Sequence, residues 1–479
     1  MHLPSCVLVS AFLSTGVTAF YPYSFKLDIS TGSSSPGKLK SRFFPWSLPV
    51  NADNQGISLD IKKVPNNVLR RDNHYPVVKG KTPTMSHSVA IDDDGHDYSY
   101  FSVVNFGSQG KEMWMLLDTG GLNTWVMGTD CTSKACAQHN TFGPSDSSSL
   151  DITSNSWNVG YGSGKVNGVL ASDKVSFAGF DFTMTFGWAK ETSDDFLQYP
   201  FDGILGLGRS DDSQIGTKSF MDAVSDAKLL KSNIVAFSLQ RASDGAKDGE
   251  ISFGDVDQNK FAGDITYTNT TGDSSFWQIP LDDASVDGKG LGLNSRSAII
   301  DSGTSYILIP PDDASALHAL IPGSSSSGEN FVIPCSSNNS VAITFSGATY
   351  AISPKDYVGS PTDNTGKSCM SNIIGHTTFG DTTWLVGDVF MKNVYSVFDY
   401  DGNRVGFANR ADETPSNSTS TTQPTIASNA QAVSTSASTA ASSSGTSSPQ
   451  KANGAADAIP TNLPLLLAGF GTMLWLSLL

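Results

Sequence analysis

The chain has 479 residues, enough for two lobes or domains with tails, and only 16% of them are charged. Asp and Glu outnumber Lys and Arg by 46 to 30, a formal net charge of −16 at pH 7. That balance argues against nucleic acid and anionic membrane surfaces as electrostatic partners, and it suits an extracellular or acidic setting.

The N-terminal residues 1–19 read as a secretory signal peptide, apolar from Cys6 to Phe12 and ending at Val17-Thr18-Ala19. The run is too short to span a bilayer. Residues 20–71 read as a propeptide, rich in Ser, Pro and Lys and closed by the dibasic pair Arg70-Arg71. They carry 8 Lys and Arg against 3 Asp and Glu, a balance of +5. Residues 72–411 carry 21 against 40, a balance of −19, so a basic leader precedes an acidic body.

The body is a succession of short β-type runs separated by Gly, Asp, Ser and Asn turns. Strands are predicted over Phe101–Phe106, Met113–Leu117, Val175–Phe177, Ile251–Phe253, Val341–Phe345 and Tyr395–Phe398. Helical periodicity is confined to Ser219–Leu230 and Pro311–Leu320. The expected fold is mostly β, with a first lobe over 72–285 and a second over 286–411. Of 5 cysteines, Cys6 lies in the signal. Cys131, Cys136, Cys335 and Cys369 are an even set suited to two disulfides in an oxidising compartment. Zinc is the rival reading, but no CxxC pair occurs and the 7 His are scattered.

Residues 412–459 are rich in Ser, Thr and Ala and read as a disordered, O-glycosylated stalk. Residues 460–479 end in an uninterrupted apolar run from Leu463 to Leu479 with no charge after it. Small residues from Asn453 to Ala456, a polar spacer and this tail fit a GPI signal with Asn453 as the attachment residue; a tail anchor is the alternative. The expected destination is the cell surface. Sequons at Asn269, Asn338 and Asn417 fit secretion.

One sentence is written twice in the body. Met115-Leu116-Leu117-Asp118-Thr119-Gly120-Gly121 returns as Ala298-Ile299-Ile300-Asp301-Ser302-Gly303-Thr304. Each is followed by an apolar-apolar-Gly unit, at Ile204-Leu205-Gly206 and Leu385-Val386-Gly387, 86 and 84 residues after its Asp. Two buried strands ending in carboxylates on tight turns bring two Asp side chains face to face. Like charges so close hold one proton between them over a range of acid pH. One can then act as general base on water while the other donates to a carbonyl. This chemistry needs no metal and no cofactor, and the chain shows no cofactor motif. The hydroxyls of Thr119 and Ser302 are expected to bond locally and fix the two loops.

These motifs resemble the pepsin-like aspartic endopeptidases over about Tyr98 to Arg410. The resemblance implies a two-lobed fold with the active-site cleft between the lobes and Asp118 and Asp301 as the catalytic pair, 183 residues apart. Gly120, Gly303 and Thr304 would line the site. Tyr161, Gly162 and Ser163 match the flap hairpin, and Trp125 its hydrogen-bonding partner. Phe196 and Ile204 would line substrate pockets. The four cysteines would pair as Cys131–Cys136 and Cys335–Cys369. Substrates would be proteins or peptides, and the enzyme a monomer. Signal, stalk and GPI tail together resemble the surface-anchored yapsin type, which cuts beside basic residues; Asp194 and Asp195 could favour them. Asp202 and Asp388 read as structural rather than catalytic.

The family usually has Ser after the first Asp-Thr-Gly, bonded to the outer oxygen of the first Asp. Here Gly121 and Leu122 follow. Without that hydroxyl the Asp118 pKa should rise. This departure motivates the rival reading, a weak or inactive peptide-binding or inhibitory protein on the same fold. A cell-wall glycoprotein explains only residues 412–479 and leaves the duplicated Asp unexplained. The basic leader would act as an intramolecular inhibitor, held by the acidic body at neutral pH and released as carboxylates protonate, or cut after Arg71.

Overall fold

A computed structural model describes residues 75–162, 164–209, 213–271 and 275–411, all within one compact unit. The signal, propeptide, stalk and GPI segments lie outside the described residues, as do Ser163, Asn417 and Asn453.

The described chain is mostly β, as its alternating apolar runs and frequent turns dictate. Each predicted strand is present, several of them longer than its apolar run. The hairpin Val341–Phe345 and Ala348–Ile352 shows why: Ser346 and Gly347 both take positive φ, 47° and 77°, the turn that matches strand twist.

The helix Phe220–Asp226 starts at Ser219, whose Oγ accepts from the Asp222 amide while Asp222 reaches back to the Ser219 amide. It stops short of Leu230 because Lys228 turns left-handed at φ 53°. Lys228 N then bonds to Ser225 O, and Leu229 N to Val224 O, which closes the last turn. The helix Pro311–His318 begins with Pro at its first position and Asp312 and Asp313 in its first turn.

Two sheets carry the duplication. In an eight-stranded sheet, Lys111–Asp118 runs parallel to Gly203–Gly206, which is antiparallel to Trp125–Met127. In a five-stranded sheet, Arg296–Ile300 runs parallel to Thr383–Val386, which is antiparallel to Ile307–Ile309. The two units share one strand order and one sense. Both lead-in strands are buried near their ends, from Met115 to Leu117 and from Ala298 to Ile300.

A third, six-stranded antiparallel sheet mixes the halves. Ser88–Ala90, Glu250–Phe253 and Ile234–Ser238 from the first join Val394–Asp399 and Arg404–Arg410 from the second. The 285/286 boundary runs through the strand Asp283–Val286, which pairs with Val341–Phe345. Gln278–Leu281 already pairs with Arg296–Ile300, so the chain enters the second half before residue 285. Disulfides join Cys131 to Cys136 and Cys335 to Cys369.

Candidate active site

The two lead-in strands deliver Asp118 and Asp301 to one buried point, exposed by 1% and 0%. The Gly120 amide donates to Oδ1 of both, at 3.0 Å each. This shared donor fixes the two inner oxygens beside each other. Asp301 Oδ1 also accepts from Gly303 N at 2.8 Å, and its Oδ2 from Thr304 Oγ1 at 2.5 Å. Asp118 Oδ2 is buried without a hydrogen-bond partner. Glycine is required at 303 for close approach: a Cβ there would lie 2.6 Å from Asp118 Oδ1.

Thr119 and Ser302 do not bond locally as expected; they lock the two loops to each other. Thr119 Oγ1 donates to Ile300 O at 3.0 Å and accepts from Ser302 N at 2.9 Å. Ser302 Oγ donates to Leu117 O at 2.6 Å and accepts from Thr119 N at 3.1 Å. A hydroxyl on a tight turn bonds its own backbone only when nothing better is near. Here the opposite loop offers a carbonyl and an amide at once.

Burial first, then the charge of Asp301, pushes the Asp118 carboxyl well above its ordinary range. Burial pushes Asp301 up to about 6, and the Thr304 hydroxyl, the Gly303 amide and a hydrogen bond from Asp118 oppose it. The pair therefore holds one proton between its two carboxyls over a range of acid pH, and the richer set of donors on Asp301 favours ionisation there. The pair can polarise a carbonyl from one side and take a proton from water on the other.

The hairpin of Asp151–Tyr161 and Gly164–Phe177 carries Tyr161 over the site, with Gly162 in its exposed turn. Trp125 Nε1 donates to Tyr161 OH at 2.6 Å. Phe196 is buried beneath, its ring edge-on to Trp125 at 5.5 Å and to Tyr161 at 6.3 Å. Ile204 is fully buried on the supporting strand opposite Leu116 and packs in the same apolar cluster. Asp194 pairs with Lys134 at 2.7 Å. Asp195 is exposed beside the flap, where a Cβ on Gly164 would come within 3.3 Å of its Oδ2. Asn269 and Asn338 are both exposed.

Asp202 is buried and accepts from the Trp114 and Asn140 amides and from Asn140 Nδ2, a backbone brace. Asp388 lies behind Asp301; burial pushes its carboxyl well above the ordinary range and Lys392 opposes this. Sequence reasoning missed the run Asp92-Asp93-Asp94. Asp93 is buried, and its pKa is pushed up to about 8 by burial first, then by its interaction with the Asp97 carboxyl. Three consecutive carboxylates, two of which form a short strand, were the available signal.

The comparisons with known proteins agree with this geometry. The eukaryotic aspartyl protease family model matches residues 99–410. The aspartic-type endopeptidase ctsD of Aspergillus fumigatus is 53% identical over 422 residues, covering 86% of this chain and 88% of the relative. A probable aspartic-type endopeptidase CTSD of Trichophyton verrucosum is 47% identical over 408 residues, covering 85% and 79%. Bovine (Bos taurus) pepsin A is 32% identical over 321 residues, covering 65% and 84%. These relatives carry ctsD and pepsin names, not yapsin names, so the narrower yapsin resemblance is not what they show. The chain belongs to the eukaryotic aspartyl protease family and is an aspartic-type endopeptidase.

Proposed function

We propose that this endopeptidase hydrolyses peptide bonds with a water activated between Asp301 as base and Asp118 as acid, in an acidic setting at the cell surface. The carrying observation is the shared Gly120 amide, which holds both buried carboxylates at one point. A peptide carbonyl polarised by the Asp118 proton accepts the water oxygen while Asp301 takes the water proton. The resulting tetrahedral intermediate collapses as the amine leaves with a proton. Tyr161 and the Trp125 bond close the flap over the bound chain.

The secretory signal, basic leader, Ser/Thr stalk and apolar tail support a zymogen that is secreted, freed of residues 20–71 and tethered by a GPI anchor. Release by a phosphatidylinositol-specific phospholipase tests the anchor. N-terminal sequencing of the secreted form, with Arg71 intact or replaced, separates self-release from processing by a basic-specific protease.

Peptide cleavage between pH 3 and 7 tests the activity. The expected result is cleavage that a statine-type inhibitor blocks and that Asp118→Asn loses by at least about a thousandfold. Processed protein that cleaves nothing in this range would instead be a peptide-binding or inhibitory module. The unpartnered Asp118 oxygen is the observation that favours that second reading.

A further inference from the structure

The two active-site loops are alike in backbone and unlike in one hydroxyl. Position 304 follows Asp301 by three residues, and its Oγ1 caps the outer oxygen Oδ2 of that carboxylate at 2.5 Å. The equivalent position after Asp118 is Gly121, and Asp118 Oδ2 is buried with no partner. The carboxyl itself fills the space where a side chain would begin. A Cβ on Gly121 would lie 2.3 Å from Oδ2 and 3.1 Å from Cγ. The loop has little freedom to withdraw, because Gly121 O accepts from Gly208 N at 2.8 Å and Leu122 packs on Gly208.

We propose that Gly121 sets the working pH of the site: by withholding a hydroxyl from the outer oxygen of Asp118, it keeps that carboxyl protonated to higher pH and extends proteolysis toward neutrality. The proposal rests on the reading of Asp118 and Asp301 as the working pair. Activity requires Asp301 ionised and Asp118 protonated, so the acid limb of the pH profile belongs to the first proton lost and the alkaline limb to the second. A buried carboxylate oxygen that no hydroxyl caps is less stabilised in its charged form, which delays the second loss. Of the groups facing Asp118, the neighbouring carboxylate acts in the same direction and the loop amides act against it. Asp301 opposes ionisation from the second loop, and Asp388, whose own carboxyl burial pushes well above its ordinary range, interacts with Asp301 and Lys392. From the flap, the Tyr161 phenol is held well above its ordinary range by burial and by the charge of Asp118. The Gly120 and Gly121 amides favour ionisation, and among the described residues no hydroxyl is bonded to this carboxyl.

The test is the pH dependence of kcat/KM for processed parent, Gly121→Ser and Gly121→Ala. The Ser variant must turn the Asp118 carboxyl and then cap it, so its alkaline limb should fall by about one pH unit, a tenfold weaker hold on the proton. The Ala variant displaces the same volume without a hydroxyl and should leave the limb where it is. An unmoved limb in the Ser variant, or an equal fall in the Ala variant, overturns the proposal. If thermal unfolding shows that the Ser variant does not fold, Thr304→Val tests the same asymmetry. It removes the one outer hydroxyl and should raise the acid limb by about one unit; an unmoved acid limb overturns the proposal. A parent that cleaves no peptide at any pH defeats the dyad reading and this proposal together. An active parent with unmoved limbs defeats this proposal alone.

Discussion

At the scale of single residues, the site depends on hydroxyls that cross between loops. Ser302 Oγ donates to Leu117 O and accepts from Thr119 N, so one side chain holds both catalytic turns. Ser302→Ala leaves a buried carbonyl and a buried amide unsatisfied, which costs about 1–3 kcal/mol each at most. The expected outcome is a lower unfolding temperature and a fall in kcat of roughly tenfold or more with little change in KM, since substrate contacts remain. Equal kcat in the folded variant would show that the cross-link is dispensable. These partners were not legible in sequence. Thr119 and Ser302 are 183 residues apart, and only the closed fold tells a hydroxyl whether its own turn or the opposite loop is nearer.

At the scale of elements, the flap works through one indole. Trp125 is fully buried on its short strand, and its Nε1 is donated to Tyr161 OH. Trp125→Phe keeps most of the apolar packing and removes that donor. It should weaken closure, raising KM and lowering kcat together, with a stability loss of only about 1 kcal/mol. Steady-state kinetics beside a thermal melt separates this from plain core damage, which would lower the melt without touching KM. The disulfide Cys335–Cys369 closes a separation of 34 residues and ties two strands of the second half. Replacing both cysteines by Ala should cost about 2–4 kcal/mol of stability. Chemical denaturation would show it as a lower midpoint with a steeper slope, because the uncrosslinked unfolded chain exposes more surface. The flap hairpin and the disulfide pairing were implied by the resemblance of local motifs to the family, and the structure shows both. Phe196 was read as a pocket lining, and it is buried against Trp125 and Tyr161; whether an aromatic faces ligand or core depends on what folds over it.

At the scale of the whole molecule, the described residues carry buried carboxylates besides the dyad, and they couple stability to pH. The Asp93 value of about 8 lies far above the ordinary 3.8 of an aspartate. The folded state therefore holds that proton more tightly than the unfolded chain. The resulting stabilisation is complete below the unfolded value and is lost as pH rises through about 8. The enzyme should lose stability on the order of a few kcal/mol between pH 4 and pH 8 through this group. Asp93→Asn, which keeps an acceptor for the Gly95 amide and removes the titrating carboxyl, should melt several degrees higher than the parent at pH 8 and equally at pH 4. Parallel melting curves across that range would exclude Asp93 as the source.

The sequence by itself determined the mostly-β class and the duplicated Asp loops, and its resemblance to the family implied the flap and the hydroxyl missing at 121. Each is a run of neighbouring residues whose period, turn chemistry or spacing survives without a fold. Only the tertiary structure decided that Gly120 serves both carboxylates, that Asp118 and not Asp301 lacks an outer donor, and that strands of both halves share one sheet. Those facts concern groups far apart in sequence. Hydrogen bonds and desolvation energies fall off over a few ångströms, so they exist only after the chain has closed.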